Sequence, residues 1–236
     1  MTGIDRPGID RLWCVVPAAG RGARFGAERP KQYVELDGEP LLIWTLRRLA
    51  ATQRIAGLMV VLAVDDPHWP KLESIAGKPV LTASGAAERS GSVLAGLHAL
   101  PESVSEDAFV LVHDAARPCV LAGDIERLIE YGVPAGGALL AAPLRDTLKL
   151  GDRAARVVAT EPREARWRAL TPQMFRRGEL TMALEQAERD GVAVTDEAMA
   201  MERIGHRPLL VEGAESNIKV TTAADLALAE FLLKQG

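Results

Sequence analysis

Glycines and basic residues cluster directly after the first apolar run of the chain. Residues 15–33 read VVPAAGRGARFGAERPKQY, in which three glycines, three arginines and one lysine follow Pro17. The backbone N–H groups of a glycine-rich turn can point into one concavity, and glycine lets an anion approach closely. Arg24 and Lys31 would then grip a triphosphate, because arginine offers a fork of donors and lysine a mobile charge. The segment therefore predicts a phosphate-binding turn.

This turn does not match the two most familiar phosphate motifs. The segment lacks G-x-x-x-x-G-K-[ST], and the residues that follow Gly20-Arg21-Gly22 do not complete G-x-G-x-x-G. One alternative is that Arg24 and Lys31 are only solvated loop residues. The place of the turn after a first strand favours phosphate binding, because α/β folds bind nucleotides beyond the carboxyl ends of their strands.

Strand-like and helix-like segments alternate along the chain, and these segments must position the turn. Short apolar runs typical of buried parallel strands occupy 12–17, 58–64, 80–83, 109–113 and 137–143, with shorter strands at 207–213 and 217–221. Helical patterns cover 40–50, 89–100, 124–132 (closed by Gly132), 175–191, 195–205 (capped by Thr195 or Asp196) and 221–234 (with the capping pair Thr222 and Asp225). The alternation predicts an α/β fold with a mostly parallel, Rossmann-like sheet covered by helices. We expect one domain, residues 1–236, with residues 144–170 as a projecting β-hairpin arm about Gly151-Asp152.

Composition and charge exclude several classes of protein. The net charge is −4, so the basic residues near the turn are a local feature that favours a small anionic ligand over nucleic acid. No apolar stretch reaches the length of a membrane span, and the first ten residues contain no signal-peptide apolar region. Cys14 and Cys119 are far apart and lack the spacing of a metal site. We expect a cytoplasmic protein with two reduced thiols and no membrane or nucleic-acid partner.

Six short motifs follow one another in the order found in a known family. They are PAAGRGARF…PKQY, HDAARP (113–118), RDT (145–147), LTPQ (170–173), TDE (195–197) and NIKVT (217–221). From about residue 12 to its C-terminus the chain resembles nucleotidyltransferases with a glycosyltransferase-A-like α/β fold. Among these it resembles the 2-C-methyl-D-erythritol 4-phosphate cytidylyltransferase family of the non-mevalonate isoprenoid pathway. The resemblance implies that CTP and methylerythritol phosphate are converted to 4-diphosphocytidyl-2-C-methyl-D-erythritol and pyrophosphate.

The resemblance also implies a role for individual residues. It makes Arg24 and Lys31 the stabilisers of the transition state, and Arg163 and Lys219 the residues that hold the acceptor phosphate. The implied CTP-binding residues are Ala18, Ala19, Gly20, Gly22, Gly85, Ala86, Ser92, Asp114 and Ala115. The implied acceptor-binding residues are Arg117, Thr147, Thr171 and Thr195. The family often has a second glycine where this chain has Ala86, and an acidic residue where it has Ala87, so we expect some base-reading contacts to differ.

The implied reaction needs positioning and charge more than it needs a general base. A phosphate monoester is already nucleophilic near neutral pH, because its second ionisation lies near pH 6. Its in-line attack on the α-phosphorus spreads charge over oxygens that the protein must stabilise. Asp114 is the candidate ligand for Mg²⁺, which prefers few carboxylates together with phosphates and waters. The alternative is that Asp114 caps a helix or pairs with Arg117, and we expect His113 to be structural.

Finally, the resemblance implies a homodimer in which the 144–170 arm crosses to the second subunit and helps complete its site. The alternative is an arm that folds back on its own domain. Two other functions stay open: a cytidylyltransferase for another polyol phosphate such as ribitol 5-phosphate, and a non-catalytic nucleotide-binding module. Such a module has no need of Arg24, Lys31 and Lys219 together. A glycosyltransferase is disfavoured, because it usually has an Asp-x-Asp motif whereas Asp65 and Asp66 are adjacent.

Overall fold

The computed structural model of the protein describes residues 11–20 and 30–235, so the predicted site residues Gly22 and Arg24 lie outside the described ranges. The strands are β1 (Leu12–Pro17), β2 (Glu35–Leu36), β3 (Glu39–Pro40), β4 (Ile55–Leu62), β5 (Ser74–Ile75), β6 (Lys78–Ser84), β7 (Phe109–Val112), β8 (Gly137–Pro143), β9 (Leu148–Gly151), β10 (Val157–Glu161), β11 (Trp167–Arg176) and β12 (Leu209–Glu212). The helices are α1 (Leu41–Ala50), α2 (Arg89–His98), α3 (Ala122–Ala135), α4 (Arg177–Arg189), α5 (Glu197–Arg203) and α6 (Ala223–Gln235), with a 3₁₀ helix at Lys31–Tyr33. None of the described helices is both long and apolar enough to span a bilayer.

The main sheet has eight strands in the order β12-β8-β11-β7-β1-β4-β6-β5. Parallel pairs join β1 to β4 and β7, β4 to β6, and β8 to β12, while β11 is antiparallel to both β7 and β8. The predicted mostly parallel α/β sheet is confirmed. From β1 the chain builds β4 and β6 on one side and then returns to place β7 on the other. The strand order therefore reverses between β1 and β7, where α/β sheets open a crevice for ligands.

The sheet divides the core into two layers. On one side Cys14 and Val16 of β1 pack with apolar residues of α1 and α3, and on the other side Val15 packs with those of α2, α4 and α5. Helix α2 lies very close to the sheet at Gly96. A Cβ atom there would lie 2.6 Å from Cγ1 of Val15 and 2.7 Å from Cγ2 of Val61.

Strand β11 is the main departure from the sequence prediction, which placed residues 144–170 in the arm and began a helix at 175. Trp167 pairs with Pro143 of β8, and Gln173 pairs with Val112 of β7, so β11 lies within the main sheet. The register shifts between Ala169 and Gln173, around a proline that cannot donate to a ladder. This interruption, together with buried polar residues, hides the alternation by which a strand is predicted.

The arm is therefore shorter than the sequence indicated and covers residues 144–166. Its strands β9 and β10 form a separate two-stranded antiparallel sheet. The turn between them runs over residues 152–156, where the Asp152 N–H donates to the carbonyl of Arg156 at 2.9 Å. Val157 and Val158 of β10 are 65% and 62% exposed in the single chain. Two adjacent exposed valines on a projecting strand are a feature that needs an explanation.

Helix α3 does not end at the predicted glycine, whereas α5 and α6 have the predicted N-caps. Helix α3 continues past Gly132, which packs against Met174, and ends at Gly136 with a φ of +77°. Asp196, one of the two predicted caps of α5, accepts a hydrogen bond from the Met199 N–H at 2.9 Å. The predicted capping pair of α6 is also present. The predicted strand 217–221 is absent, because residues 217–221 belong to no strand or helix.

Candidate active site

A cleft lies at the carboxyl ends of β1, β6 and β7. Its walls come from the turn after β1, the 3₁₀ helix, the loop between β6 and α2, the loop after β7, and Lys219. The lining residues are Pro17, Ala18, Ala19, Gly20, Lys31, Gln32, Ala86, Ala87, Glu88, Arg89, Ser92, Asp114, Ala115, Ala116 and Lys219. The cleft thus lies at the crevice expected from the reversal of strand order, and nine residues predicted for the site line it.

The first wall joins the end of β1 to the 3₁₀ helix. The Ala18 N–H donates to the carbonyl of Val61 at 2.7 Å, and the Ala18 carbonyl accepts from Nε2 of Gln32 at 2.6 Å. The Gln32 side chain is buried, and its neighbour Lys31 lines the cleft. The start of the glycine-rich turn and the lysine are therefore fixed next to each other.

The second wall is the loop before α2, which depends on Gly85 and Ser92. A Cβ atom at Gly85 would lie 2.5 Å from Cβ of Ala19, so only glycine allows the two loops to approach this closely. Oγ of Ser92 accepts from the Ala86 N–H at 3.1 Å and lies 3.1 Å from the Glu88 carbonyl. The Ser92 hydroxyl thus holds the loop that faces the cleft, and its contact with a nucleotide stays a prediction.

Asp114 lies at the floor of the cleft among three cations. Oδ1 accepts from Nε of Arg89 at 2.9 Å, while Oδ2 lies 2.9 Å from Nζ of Lys219 and 3.5 Å from Nε of Arg117. Burial acts to raise the pKa of Asp114, but these positive charges outweigh burial and hold the pKa well below its usual range. The carboxylate stays charged and keeps Lys219 at the cleft. The predicted alternative, a pair with Arg117, is only one part of this cluster.

A second carboxylate fixes Arg89 from the other side. Nη1 and Nη2 of Arg89 donate to Oε1 and Oε2 of Glu197 at 2.6 and 3.2 Å, which is the two-bond geometry that arginine and carboxylate favour. Burial acts to lower the pKa of Arg89, but Glu197 and Asp114 outweigh it and raise the pKa above its usual value. Only 1% of Glu197 is exposed, whereas 28% of the Arg89 side chain is, so the pair is buried on its carboxylate side.

Two of the predicted motifs meet behind this pair. Gln173 of β11 donates through Nε2 to Oδ2 of Asp196 at 3.0 Å and accepts from the Ala198 N–H at 2.7 Å. Gln173 therefore holds the first turn of α5, which carries Glu197. The LTPQ and TDE motifs thus form one unit that positions Glu197 against Arg89.

Thr171 and His113 connect Asp114 to the interior. The Asp114 N–H donates to Oγ1 of Thr171 at 3.1 Å, and this hydroxyl lies 3.0 Å from Nδ1 of His113. Nε2 of His113 lies 3.1 Å from the carbonyl of Arg117, so Nε2 donates and Nδ1 accepts the Thr171 proton. Burial lowers the pKa of His113 to about 4, so the ring is neutral at physiological pH. His113 is structural, as predicted from the sequence, and the Thr171 hydroxyl is engaged within the protein.

This histidine predicts how stability depends on pH. Unfolded histidine has a pKa of about 6.5, so between pH 6.5 and 4 the unfolded chain binds a proton that folded His113 does not. We expect this group to make the protein about 2 kcal/mol less stable at pH 5 than above pH 7. Urea unfolding at both pH values measures the loss. The variant His113→Gln should show a smaller loss, and an equal loss in both proteins would contradict the assignment.

The segment that carries Lys219 is fixed on both sides. Nη1 of Arg117 donates to the carbonyl of Asn217 at 2.7 Å, and Nδ2 of Asn217 donates to the carbonyl of Thr171 at 2.8 Å. The Val220 N–H donates to the carbonyl of Ala116 at 2.8 Å. Lys219 is therefore placed between two anchored neighbours and directed at Asp114.

Five predicted acceptor-site residues do not line the cleft of the single chain; Arg117 and Thr171 contact Asp114, and the other three lie elsewhere. Arg163 belongs to the loop after β10, and its Nη1 donates to the carbonyl of Arg145 within the arm. Thr147 is exposed before β9, and Thr195 is exposed before α5.

Sequence reasoning missed the buried residues that support the site. These are Gln32, Arg89, Gln173, Glu197 and Asn217. Four of them are letters of the quoted motifs, so their presence there was a usable signal. Arg89 lies outside those six motifs and could be identified only from its contacts.

The predicted metal role of Asp114 can be tested against this geometry. Both of its carboxylate oxygens already interact with cations, and a divalent ion beside Arg89, Arg117 and Lys219 would be repelled. Within residues 11–20 and 30–235, no group of three or more His, Cys, Asp or Glu side chains is placed to hold a metal ion. The arrangement does not fit a Mg²⁺ ion bound directly by Asp114.

Comparison with known proteins identifies the family. The family model described as IspD, 2-C-methyl-D-erythritol 4-phosphate cytidylyltransferase, matches residues 12–235. A protein of that name from Stenotrophomonas maltophilia is 59% identical over 225 residues, which are 95% of this chain and 97% of the relative. The one from Xanthomonas axonopodis pv. citri is 58% identical over 94% of this chain and 84% of the relative.

Solved structures give the same result. The crystal structure of the Francisella tularensis protein of that name has a TM-score of 0.81 at 31% identity and covers 94% of this chain and 99% of its own. The Thermus thermophilus structure has a TM-score of 0.76 at 33% identity, with 95% of this chain and 99% of its own covered.

Proposed function

Because this chain belongs to the 2-C-methyl-D-erythritol 4-phosphate cytidylyltransferase family, we propose that the cleft at Asp114 binds both CTP and the acceptor phosphate. The protein is a CTP-dependent transferase that converts methylerythritol phosphate and CTP to 4-diphosphocytidyl-2-C-methyl-D-erythritol and pyrophosphate. One observation carries the placement: the backbone turn at Ala18–Gly20, Lys31 and Lys219 converge on a single cleft.

We propose the following course for the transfer. An oxygen of the acceptor phosphate attacks the α-phosphorus of CTP and forms a new P–O bond, while the bond from that phosphorus to the bridging oxygen of the β-phosphate breaks. Pyrophosphate leaves with the bond's electron pair. Lys31, with Arg24, neutralises the charge that develops on the phosphate oxygens, and preorganised charges of this kind lower the barrier most.

The two walls of the cleft suit the two parts of the nucleotide. The turn after β1 offers backbone N–H groups to the phosphates, while the loop held by Gly85 and Ser92 offers its backbone to the base. Ala19 and Gly85 lie so close together that the two loops close one side of the cleft. We propose that cytosine lies against Ala86 and that the limited room there favours a pyrimidine over a purine.

We propose that Lys219 holds the acceptor phosphate on the opposite side of the α-phosphorus from the leaving group. Its ammonium group lies 2.9 Å from Oδ2 of Asp114, and 38% of its side chain is exposed, so it can reach an anion without losing its position. Asp114, Arg117 and Thr171 then act through this lysine and through the loop after β7. Arg163 and Thr147 would complete the acceptor site of a second subunit.

The exposed valines of the arm support a homodimer. We expect the protein to have a mass of twice 25.3 kDa in solution, and the double variant Val157→Lys, Val158→Lys to be a monomer with reduced turnover. Size-exclusion chromatography with light scattering measures the mass. Met182→Lys on α4 is the matched control, because Met182 is also exposed but lies outside the arm. A parent protein that is monomeric at assay concentration would contradict the proposal.

The proposal also covers how Mg²⁺ is bound and in which cell compartment the protein works. We propose that Mg²⁺ enters as part of the substrate, bound by the phosphates of CTP, because Mg²⁺ is commonly held by substrate phosphates with few carboxylates. Cys14 and Cys119 are both free and buried, which supports a reducing, cytoplasmic location. Nucleic acid has no part in the proposal, in keeping with the net charge of −4.

A pyrophosphate-release assay tests the proposed function. The four ribonucleoside triphosphates are each combined with Mg²⁺ and with methylerythritol phosphate or ribitol 5-phosphate. We expect release with CTP and methylerythritol phosphate. Greater release with ribitol 5-phosphate would favour the alternative acceptor, and CTP binding without release would favour a nucleotide-binding module.

A further inference from the structure

The motif PKQY ends in three residues that point in three directions. Lys31, Gln32 and Tyr33 form one turn of 3₁₀ helix, in which successive side chains are separated by about 120°. Lys31 lines the cleft, Gln32 reaches the end of β1, and Tyr33 reaches the loop after β4. The proposed reaction uses only the first of these side chains.

Gln32 connects the lysine to the backbone turn that would bind the phosphates. Its Nε2 donates to the Ala18 carbonyl at 2.6 Å across a separation of 14 residues, and the side chain is 3% exposed. The Ala18 N–H is held by Val61 of β4. This hydrogen bond therefore joins the residue next to Lys31 to the start of the Ala18–Gly20 turn, and Val61 of β4 holds that turn in place.

Tyr33 anchors the same helix on its opposite side. Its hydroxyl donates to Oδ2 of Asp66 at 2.8 Å, and Oδ1 of Asp66 accepts from the His68 N–H at 3.0 Å. Burial and then Asp66 raise the pKa of Tyr33, so the phenol stays a donor at physiological pH. Pro30, with a φ of −57°, begins the turn in a fixed conformation. The short helix is therefore held at both ends and on two sides.

We propose that Gln32 is a positioning residue for the transfer step and that Tyr33, through Asp66, is its counterpart on the other side of the helix. Gln32 keeps Lys31 and the backbone turn at the separation that one phosphate chain spans. This inference rests on the proposed role of Lys31. Small displacements of an aligned group are costly, so we expect Gln32→Met to lower kcat about 30-fold. Methionine keeps the size of the side chain and removes the hydrogen bond.

The test is a double-mutant cycle of Gln32→Met with Lys31→Ala. If Gln32 acts through Lys31, the double variant will be hardly slower than Lys31→Ala alone, because the two losses belong to one function. Thermal unfolding checks that each variant is folded, and Gln186→Met on the exposed face of α4 is the matched control. Tyr33→Phe provides a second cycle with the same expected non-additivity, should Gln32→Met fail to fold.

The outcomes separate the inference from the function on which it rests. A large loss in Lys31→Ala with full turnover in a folded Gln32→Met overturns the positioning role alone. Losses that multiply in the double variant overturn it too, since they would mean that Gln32 acts independently of Lys31. A Lys31→Ala variant with full turnover overturns the proposed role of Lys31, and the inference falls with it.

Discussion

Replacing Lys31 with alanine will lower kcat by about 10²–10³, the usual cost of losing one preorganised donor to developing charge. The KM for CTP will change far less, because the backbone turn at Ala18–Gly20 and the loop at Gly85 remain in place to bind the nucleotide. The loss should therefore appear in kcat and in kcat/KM alike, which marks an interaction made mainly in the transition state. Steady-state pyrophosphate release with saturating methylerythritol phosphate measures both constants.

Lys234→Ala is the matched control for this variant. Lys234 pairs with Glu230 on the surface of α6, so its loss should leave turnover unchanged. A Lys31→Ala variant that keeps kcat but raises the KM for CTP in proportion would show that Lys31 binds ground state and transition state equally. That result would remove the proposed catalytic role and leave a binding role.

Glu197→Ala will destabilise the protein by about 3 kcal/mol, because it leaves the buried guanidinium of Arg89 without its two-bond partner. This figure is at the low end for a broken buried pair, since Arg89 keeps Asp114 and 28% of its side chain is exposed. Urea unfolding at pH 7 measures the change. Turnover will fall as well, because Arg89 begins α2 and thus the helix that holds the base-facing loop.

Glu202→Ala on the same helix is the matched control, since Glu202 is exposed. Its effect should stay within about 0.5 kcal/mol, as is usual for surface substitutions. Glu197→Gln keeps the shape of the side chain and one acceptor, so it should fall between the two. A Glu197→Ala protein as stable as the control would mean that desolvation of the two charges already cancels their attraction.

The sequence could predict the strands that are buried on both faces and the residues that follow them. Strand β1 and strand β8 begin and end where the apolar runs do, because such runs signal a parallel sheet directly. Since the carboxyl ends of these strands meet at one edge, residues as distant as Gly20 and Asp114 were rightly expected in one cleft. The position after the turn indicated Lys31 as well, and the family motifs added Lys219.

What the sequence could not predict depends on contacts between distant residues. Arg89 and Glu197 are separated by 108 residues, and neither has a local pattern that distinguishes a buried partner from a solvated charge. Strand β11 was not predicted, because Pro172 and buried polar residues interrupt its alternation of apolar and polar side chains. In the folded protein, the central place of β11 in the sheet gives these polar residues hydrogen-bond partners. Such residues are stabilised by tertiary packing that no short window contains.

The close packing of α2 on the sheet limits which residues can replace Gly96, although Gly96 lies away from the cleft. Gly96 lies seven residues, or about 10 Å of helix, beyond Arg89. Any side chain at Gly96 would push the helix away from Val15 and Val61. Its first turn would then tilt, and Arg89 and Ser92 would move together. A methyl group at Gly96 would therefore be expected to widen the nucleotide-binding cleft, although it makes no contact with that cleft.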